Sequence, residues 1–395
     1  MDSRDRGFAT ELVYGTLRLQ GRLDFFLSTL SHRPLDELDL QMLIVLRMGL
    51  FQLMDLKLPP HAAIYETTEL AKAVLGKSAA SFVHAILRSA ERSPLELPTG
   101  DDDRDLGIQY SEPEWIVRAL SDARGDRTKL KALLEAQNQP AAPTLNSLPS
   151  FCTEEELIAA GAEQIQGSLR GYSYKGNPGD IPAVREHRAL VQDLGSQLVV
   201  EEFFSAGGKI GKKDDLRWLD LCAGPGGKAA YLDSLITEGE FVANEISEVR
   251  SRLVRNLLRR GKVTTFDGRQ AKTNLGQFDR ILIDAPCTGL GALRRRPEVR
   301  WRRQPSDLSE LQNLQRELLH AASEMINIGG IIGYSTCSPH LAETKLQVRR
   351  FLSEHSNFQR VSVSALRADK DGDMQLWTDR DGTDSMFLAL LQRTS

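Results

Sequence analysis

LRWLDLCAGPGGK, residues 216–228, decides the fold class, because an apolar strand-like run (216–221) passes directly into a glycine-rich turn that opens a helix. The same alternation continues downstream. EFVAN (240–244), KVTTF (262–266), DRILID (279–284) and GIIGYS (330–335) read as strands. Between them lie an arginine-rich helical stretch after 248 and a long helical pattern over 307–328. Strands alternating with helices predict a parallel, doubly wound sheet. Such sheets bind ligands at the carboxyl ends of their strands, and this sequence keeps its unusual residues there.

Three strand ends describe a nucleoside pocket. The turn Cys222, Ala223, Gly224, Pro225, Gly226, Gly227, Lys228 lets the backbone approach a ligand closely and ends at a helix N-terminus. It is not the GxGxxG of dinucleotide enzymes, and an ordinary strand-to-helix turn is the plain alternative. Glu245, about twenty residues on, stands where an acid grips ribose hydroxyls, and Asp267 is placed to address an adenine ring. Either acid alone is commonly a solvated loop residue. Together, without a phosphate-binding signature, they suit S-adenosylmethionine.

The next two strand ends carry DAPCTGLG (284–291) and YSTCSPH (334–340). Two thiols and an acid suit methylation of carbon 5 of a pyrimidine. That carbon is a poor nucleophile until a thiolate adds to carbon 6, and a base must later remove the carbon 5 proton so that the thiol can leave. Cys337, Asp284 and Cys287 can fill the roles of nucleophile, ring-nitrogen partner and base, and residue types alone leave open which thiol attacks. An ordinary thiol has a pKa of about 8.5, so the nucleophile needs activation in its pocket.

Residues 1–92 read as helices: 8–30 with a break expected at Gly21, 38–54 apolar on nearly every face, 61–75 between Pro59–Pro60 and Gly76, and 78–92. A linker rich in prolines and acids is expected at 93–105, a mixed connecting subdomain at 106–205 and the catalytic domain at 206–395. The 395 residues are 41% hydrophobic and 26% charged, with net charge −4, an ordinary balance for a globular protein. No run is long and apolar enough for a membrane span or a signal peptide, which predicts a cytosolic protein. The four cysteines form no CxxC pair, so neither zinc nor disulfides are expected. Cys152 reads as a buried small hydrophobe. RRRPEVRWRR (294–303) holds six arginines. Arg294, Arg295, Arg296, Arg300, Arg302 and Arg303 suit phosphates, and Trp301 suits stacking on a base.

CAGPGGK, DAPCTGLG and YSTCSPH in this order resemble the RNA cytosine-5 methyltransferases. Within them the chain is similar to the Sun/RsmB branch, which modifies small-subunit ribosomal RNA. FATELVYGTLR, LRMGLFQL, PPHAAIYETTELAK and SFVHAILR in residues 8–92 resemble the transcription factor NusB, and SEPEWIVRAL, VQDLGSQLVVEEF and GTDSMFLALL fit the same branch. The resemblance implies a Rossmann-like S-adenosylmethionine methyltransferase domain preceded by an all-α NusB-like domain. It places the donor site on residues 222–228, Glu245, Asp267 and Asp284, makes Cys337 the nucleophile and gives Cys287 the release step. It implies 16S ribosomal RNA as partner and a monomer. Transfer RNA as substrate and a non-catalytic assembly factor are the alternatives. Two departures stand out: the NusB-like part lacks an expected first helix, and LWTDRDGTD (376–384) has acids where histidines are expected.

Overall fold

The N-terminal segment is helical. In the computed structural model, which describes residues 3–206 and 216–395, α1 (Ser3–Arg18), α2 (Gln20–Leu30), α3 (Leu40–Met54), α4 (Pro60–Leu75) and α5 (Lys77–Arg92) follow one another. Asp39 caps α3 by accepting from the Gln41 amide at 2.8 Å, and Pro60 starts α4 at its first position. Ala80, Val83 and Leu87 of α5 recur at helical spacing and are buried with Leu23, Leu27, Leu46 and Leu50. Each such large aliphatic side chain contributes about 1.5–3 kcal/mol through burial. The break falls at Leu19, not at Gly21. Gly21 lies inside α2, and the requirement for glycine there is one of close approach, since a Cβ would meet the Trp301 ring at 2.8 Å.

The bundle continues past the expected linker. After an extended stretch come α6 (Asp103–Tyr110), α7 (Glu114–Arg124) and α8 (Arg127–Gln137), with Gly125 in the left-handed region (φ 64°) between the last two. One compact unit comprises Met1–Gln139 and Arg296–Arg302, and the other Pro140–Arg295 and Arg303–Ser395. The segment expected to connect two domains, 106–205, is therefore divided between them.

The second unit opens with a small antiparallel sheet of β1 (Thr144–Ser147), β2 (Glu163–Gln164), β3 (Gly171–Ser173) and β4 (Ala189–Val191), in the order β2-β3-β1-β4. The main sheet holds β5 (Arg217–Asp220), β6 (Glu240–Asn244), β7 (Lys262–Thr264), β8 (Phe278–Asp284), β9 (Ile326–Thr336), β10 (Phe358–Val361), β11 (Met374–Gln375) and β12 (Phe387–Arg393). Its order is β10-β12-β9-β8-β5-β6-β7, with β11 on β12. The five strands β5 to β9 are parallel, as the alternation predicts. β12 runs antiparallel to β9, and β10 to β12, so the sheet is mixed. Ile281, Leu282 and Ile283 of β8 are fully buried, which is why central strands read as unbroken apolar runs. On one face Trp218 is packed by Phe203 and Phe204. The chain runs outward from β5 to β7 and returns on the other side at β8, so the switch point lies between β5 and β8. Among the described residues no helix is long and apolar enough to cross a membrane.

Candidate active site at the strand ends

The residues expected to hold the donor meet around the turn after β5. The Ala223 amide donates to the Asn244 carbonyl at 2.9 Å. The Gly224 amide donates to Glu245 Oε2 at 3.0 Å, and the Ser247 amide to Glu245 Oε1 at 2.9 Å. Glu245 is almost fully buried. A side chain at Gly224 would run into its carboxylate, so the glycine requirement is one of close approach. The Arg250 guanidinium donates to the Gly224 carbonyl and lies 3.5 Å from Glu245, which draws one arginine of the 249–262 stretch into the site. Asp267 follows β7 and is held by Arg269 at 2.6 Å, whose hydrogen bonds keep its carboxyl below the usual range.

Asn244 joins three strand ends. Its amide donates to the carbonyls of Leu221 and Phe266, and its oxygen accepts from the Phe266 amide and the Thr264 hydroxyl. Sequence reading passed over it, as it did Asp220, Ile246 and Phe266. The last two leave apolar surface exposed (61% and 36%) beside Glu245 and Asp267. A large apolar residue next to each strand-end acid was the available signal.

Asp220 ends β5 fully buried, and neither carboxylate oxygen has a well-formed hydrogen bond. Its carboxyl is pushed up to about 8, chiefly by burial and then by the charge of Asp284, against the opposing pull of Lys228 and the Cys222 amide. An unpartnered buried acid beside an open glycine turn suits a cationic ligand.

The two cysteines and Asp284 are placed by two neighbouring strands. β8 and β9 are parallel with Asp284 opposite Ser335, so the residues that follow each strand emerge together. Lys228 Nζ lies 2.8 Å from Asp284 Oδ2; burial disfavours the ammonium, but Asp284 outweighs it and holds Lys228 above its ordinary value. Cys287 and Cys337 bring their sulfurs to 3.4 Å. The hydrogen bond with Cys287 lowers the Cys337 thiol, with help from Lys228 and against burial and the charge of Asp284. The same bond and burial push the Cys287 thiol well up. The two sulfurs share one close contact, and its effect is to lower the Cys337 thiol and raise that of Cys287. Cys222 sits at the turn with a thiol driven well up by burial and three nearby carboxylates, an inert thiol rather than a nucleophile.

The arginine segment is in part drawn into the fold and in part exposed. Arg300 is fully buried in the first unit, where it donates to Glu112 at 2.6 Å and to the carbonyls of Gln137 and Arg18. Trp301 donates to the Leu17 carbonyl at 2.7 Å and is seated on Gly21. Arg300 is a core residue of a helical unit and cannot grip a phosphate in this fold, while Trp301 is half-buried with its indole N–H already bonded. Arg294 pairs with Asp193 at 3.1 Å, Arg295 pairs with Asp384, and Arg303 donates to the carbonyls of Cys287 and Thr288. Arg296 and Arg302 face solvent. The acids of 376–384 have work of their own: Asp384 receives Arg295, and Asp381 accepts from the Trp377 amide at 2.7 Å.

Arg300→Ala is expected to destabilise the first unit by about 3–5 kcal/mol, since it leaves Glu112 buried without its counter-charge. Thermal melting checks this. A variant that melts like the parent but loses affinity for RNA would return Arg300 to the binding surface.

Residues 210–392 match the model of the 16S rRNA methyltransferase RsmB/F family, and residues 1–92 that of the NusB family. A probable ribosomal RNA small subunit methyltransferase B of Bacillus subtilis is 30% identical over 100% of this chain and 92% of its own length. The chain belongs to the RsmB/F family. A putative methyltransferase of Mycobacterium tuberculosis is 40% identical over 99% of this chain and 89% of its own. The crystal structure of PH0851 shares the fold of this RsmB/F protein at TM-score 0.84 and 21% identity, covering 99% of this chain and 91% of that one. That of NSun6 from Pyrococcus horikoshii does so at TM-score 0.63 and 15% identity over 72% and 98%.

RsmB/F proteins are methyltransferases that depend on S-adenosylmethionine, and the residues present fit that group. Its sulfonium and α-ammonium are cations, and Asp220 is the orphaned buried carboxylate that calls for one. Among the described residues no cluster of His, Cys, Asp and Glu could hold a metal ion.

A pH dependence follows from Asp220. Its carboxyl loses a proton near 4 when unfolded and near 8 when folded. Between those values the folded state binds more protons, so stability of the free protein falls as pH rises, by up to about 1.4 kcal/mol per unit. A cation against Asp220 drives the proton off, so donor affinity should climb as pH approaches 8. Asp220→Asn should flatten both curves, raise the melting temperature at pH 8 and weaken donor binding. Calorimetry across pH 6–9 measures this, and an unchanged pH dependence in the variant would exclude Asp220 as the source.

Proposed function

We propose that this enzyme methylates carbon 5 of a cytosine in 16S ribosomal RNA through a covalent bond between Cys337 and carbon 6 of the ring. The observation that carries the proposal is the 3.4 Å thiol pair beside the Lys228–Asp284 ion pair. S-adenosylmethionine supplies an electrophilic methyl group. The Cys337 thiolate forms the S–C6 bond, and the displaced π electrons build up on carbon 5 and ring nitrogen 3. A proton passed from the Lys228 ammonium through Asp284 to ring nitrogen 3 neutralises that charge, and the Asp284 carboxylate then accepts the N–H hydrogen bond at that edge. After carbon 5 has taken the methyl, Cys287, which has released its own proton to solvent once Cys337 is bonded to carbon, removes the carbon 5 proton. The electrons of that C–H bond restore the double bond, and the S–C6 bond breaks to free Cys337.

Glu245, Arg250 and the 222–228 turn bind the donor on this reading. Asp267, Ile246 and Phe266 border its adenine. The exposed Arg296 and Arg302, with the NusB-like unit, contact RNA. The target base must leave its stack to reach the thiols. The relatives named as ribosomal RNA small subunit methyltransferase B support the choice of 16S RNA over transfer RNA.

The test is methyl transfer from labelled donor to unmodified 16S RNA, followed by nucleoside digestion. The expected product is 5-methylcytosine at a defined position. Label in another nucleoside, or only in transfer RNA, would overturn the chemistry or the substrate respectively.

A further inference from the structure

Glu343 is the one fully buried acid on the short turn that follows the Cys337 loop, and the chemistry above leaves it unused. Oε1 accepts from the Thr288 amide at 2.9 Å and from Gln315 Nε2 at 3.1 Å. Oε2 accepts the Thr288 hydroxyl proton. A threonine hydroxyl has one proton, so the Ser338 hydroxyl, 3.0 Å away, donates to Thr288 in turn. Thr288 follows Cys287 directly, and Ser338 follows Cys337. The two thiol-bearing loops are thus fastened to one another one residue beyond each sulfur, and Glu343 terminates the chain of bonds. Gln315 adds a second tie by donating to the Pro286 carbonyl at 2.9 Å, just before Cys287. The Tyr334 hydroxyl holds the Glu343 backbone at 2.7 Å.

Such a network exceeds what loop closure needs. A buried carboxylate kept with three donors is costly unless fully satisfied, and an apolar residue would pack a turn as well. What a carboxylate adds is charge on one side of an S–H···S⁻ pair. A negative charge on the Cys287 side favours the proton there and the thiolate on Cys337; around Cys337 itself burial, Asp284 and Asp384 disfavour the thiolate and Lys228 favours it, so the bias between the two thiols rests on the Cys287 side.

We propose that Glu343 is a positioning residue which, through Thr288, holds Cys287 against Cys337 and assigns the shared proton to Cys287. It thereby sets which of two chemically alike thiols attacks. The proposal rests on the reading of Cys337 as nucleophile and Cys287 as release base.

The test labels the full-length protein with iodoacetamide across pH 6–9 and follows each cysteine by mass spectrometry. Cys337 should react at least about tenfold faster than Cys287 in the parent. Glu343→Gln should cut that ratio at least about tenfold and lower turnover by a similar factor, with ordinary donor affinity. An unchanged ratio in folded Glu343→Gln overturns the proposal. Where that variant fails to melt cooperatively, Thr288→Val, which keeps the charge and removes the hydroxyl link, carries the test. Turnover at least tenfold down with normal donor binding supports the role, and parental turnover overturns it. A Cys337→Ala protein that still methylated RNA would defeat the underlying reading of the thiols, a failure distinct from an unchanged labelling ratio in Glu343→Gln.

Discussion

Cys337→Ala is expected to lower methyl transfer at least about a thousandfold while leaving the fold and donor binding intact. The size follows from the chemistry: without a nucleophile at carbon 6 the ring carbon 5 is too electron-poor to take a methyl, and removing a covalent catalyst costs several orders of magnitude in comparable systems. The fold should survive because Cys337 packs at the edge of a core cluster and is partly exposed. Donor binding should survive because Asp220, Glu245 and the glycine turn do not bond to it. Rates with saturating RNA and donor, together with calorimetry, separate these effects. Retained turnover would transfer the nucleophile's role to Cys287.

Cys287→Ala is expected to convert a turnover enzyme into one that traps its RNA. Without a base the methylated adduct has no route to expel carbon 5's proton, so protein and RNA should remain joined through denaturing electrophoresis. The change has a second effect of opposite sign. Cys287 is the hydrogen-bond donor that lowers the Cys337 thiol, so trapping should be slow near neutral pH and accelerate as pH rises. The same bond accounts for the order of events. It is the main cause holding Cys287 protonated, and it vanishes once Cys337 bonds to carbon. Attack by one thiol therefore frees the other to ionise when a base is next required. No adduct at any pH from Cys287→Ala, or ordinary turnover, would refute this sequence.

The five parallel strands and the thiol-bearing ends of β8 and β9 were legible because each strand is a short apolar run closed by polar or glycine residues. The antiparallel β12 and β10 were not. FLALLQR (387–393) is apolar enough for any central strand, and only its pairing with β9 gives direction. Asp220, Asn244 and Glu343 went unread because nothing local marks a polar residue as buried; Asp284, Phe266 and Thr288, against which they lie, are 64, 22 and 55 positions away. RRRPEVRWRR misled for a related reason. Six arginines in ten residues suggest a solvated, phosphate-seeking face, yet Arg300 is matched to Glu112 across 188 residues of chain, a pairing no window of sequence reveals.

That separation has a consequence for synthesis. Helices α1 to α8 leave the ribosome first, with Glu112 among them, while the guanidinium that neutralises it follows 188 residues later. At about 5–20 residues per second the interval is roughly ten to forty seconds. During it the helical unit holds an uncompensated acid where its core should close, along with an empty seat over Gly21. Completion of the first-made part of the protein waits on a loop translated from within the second.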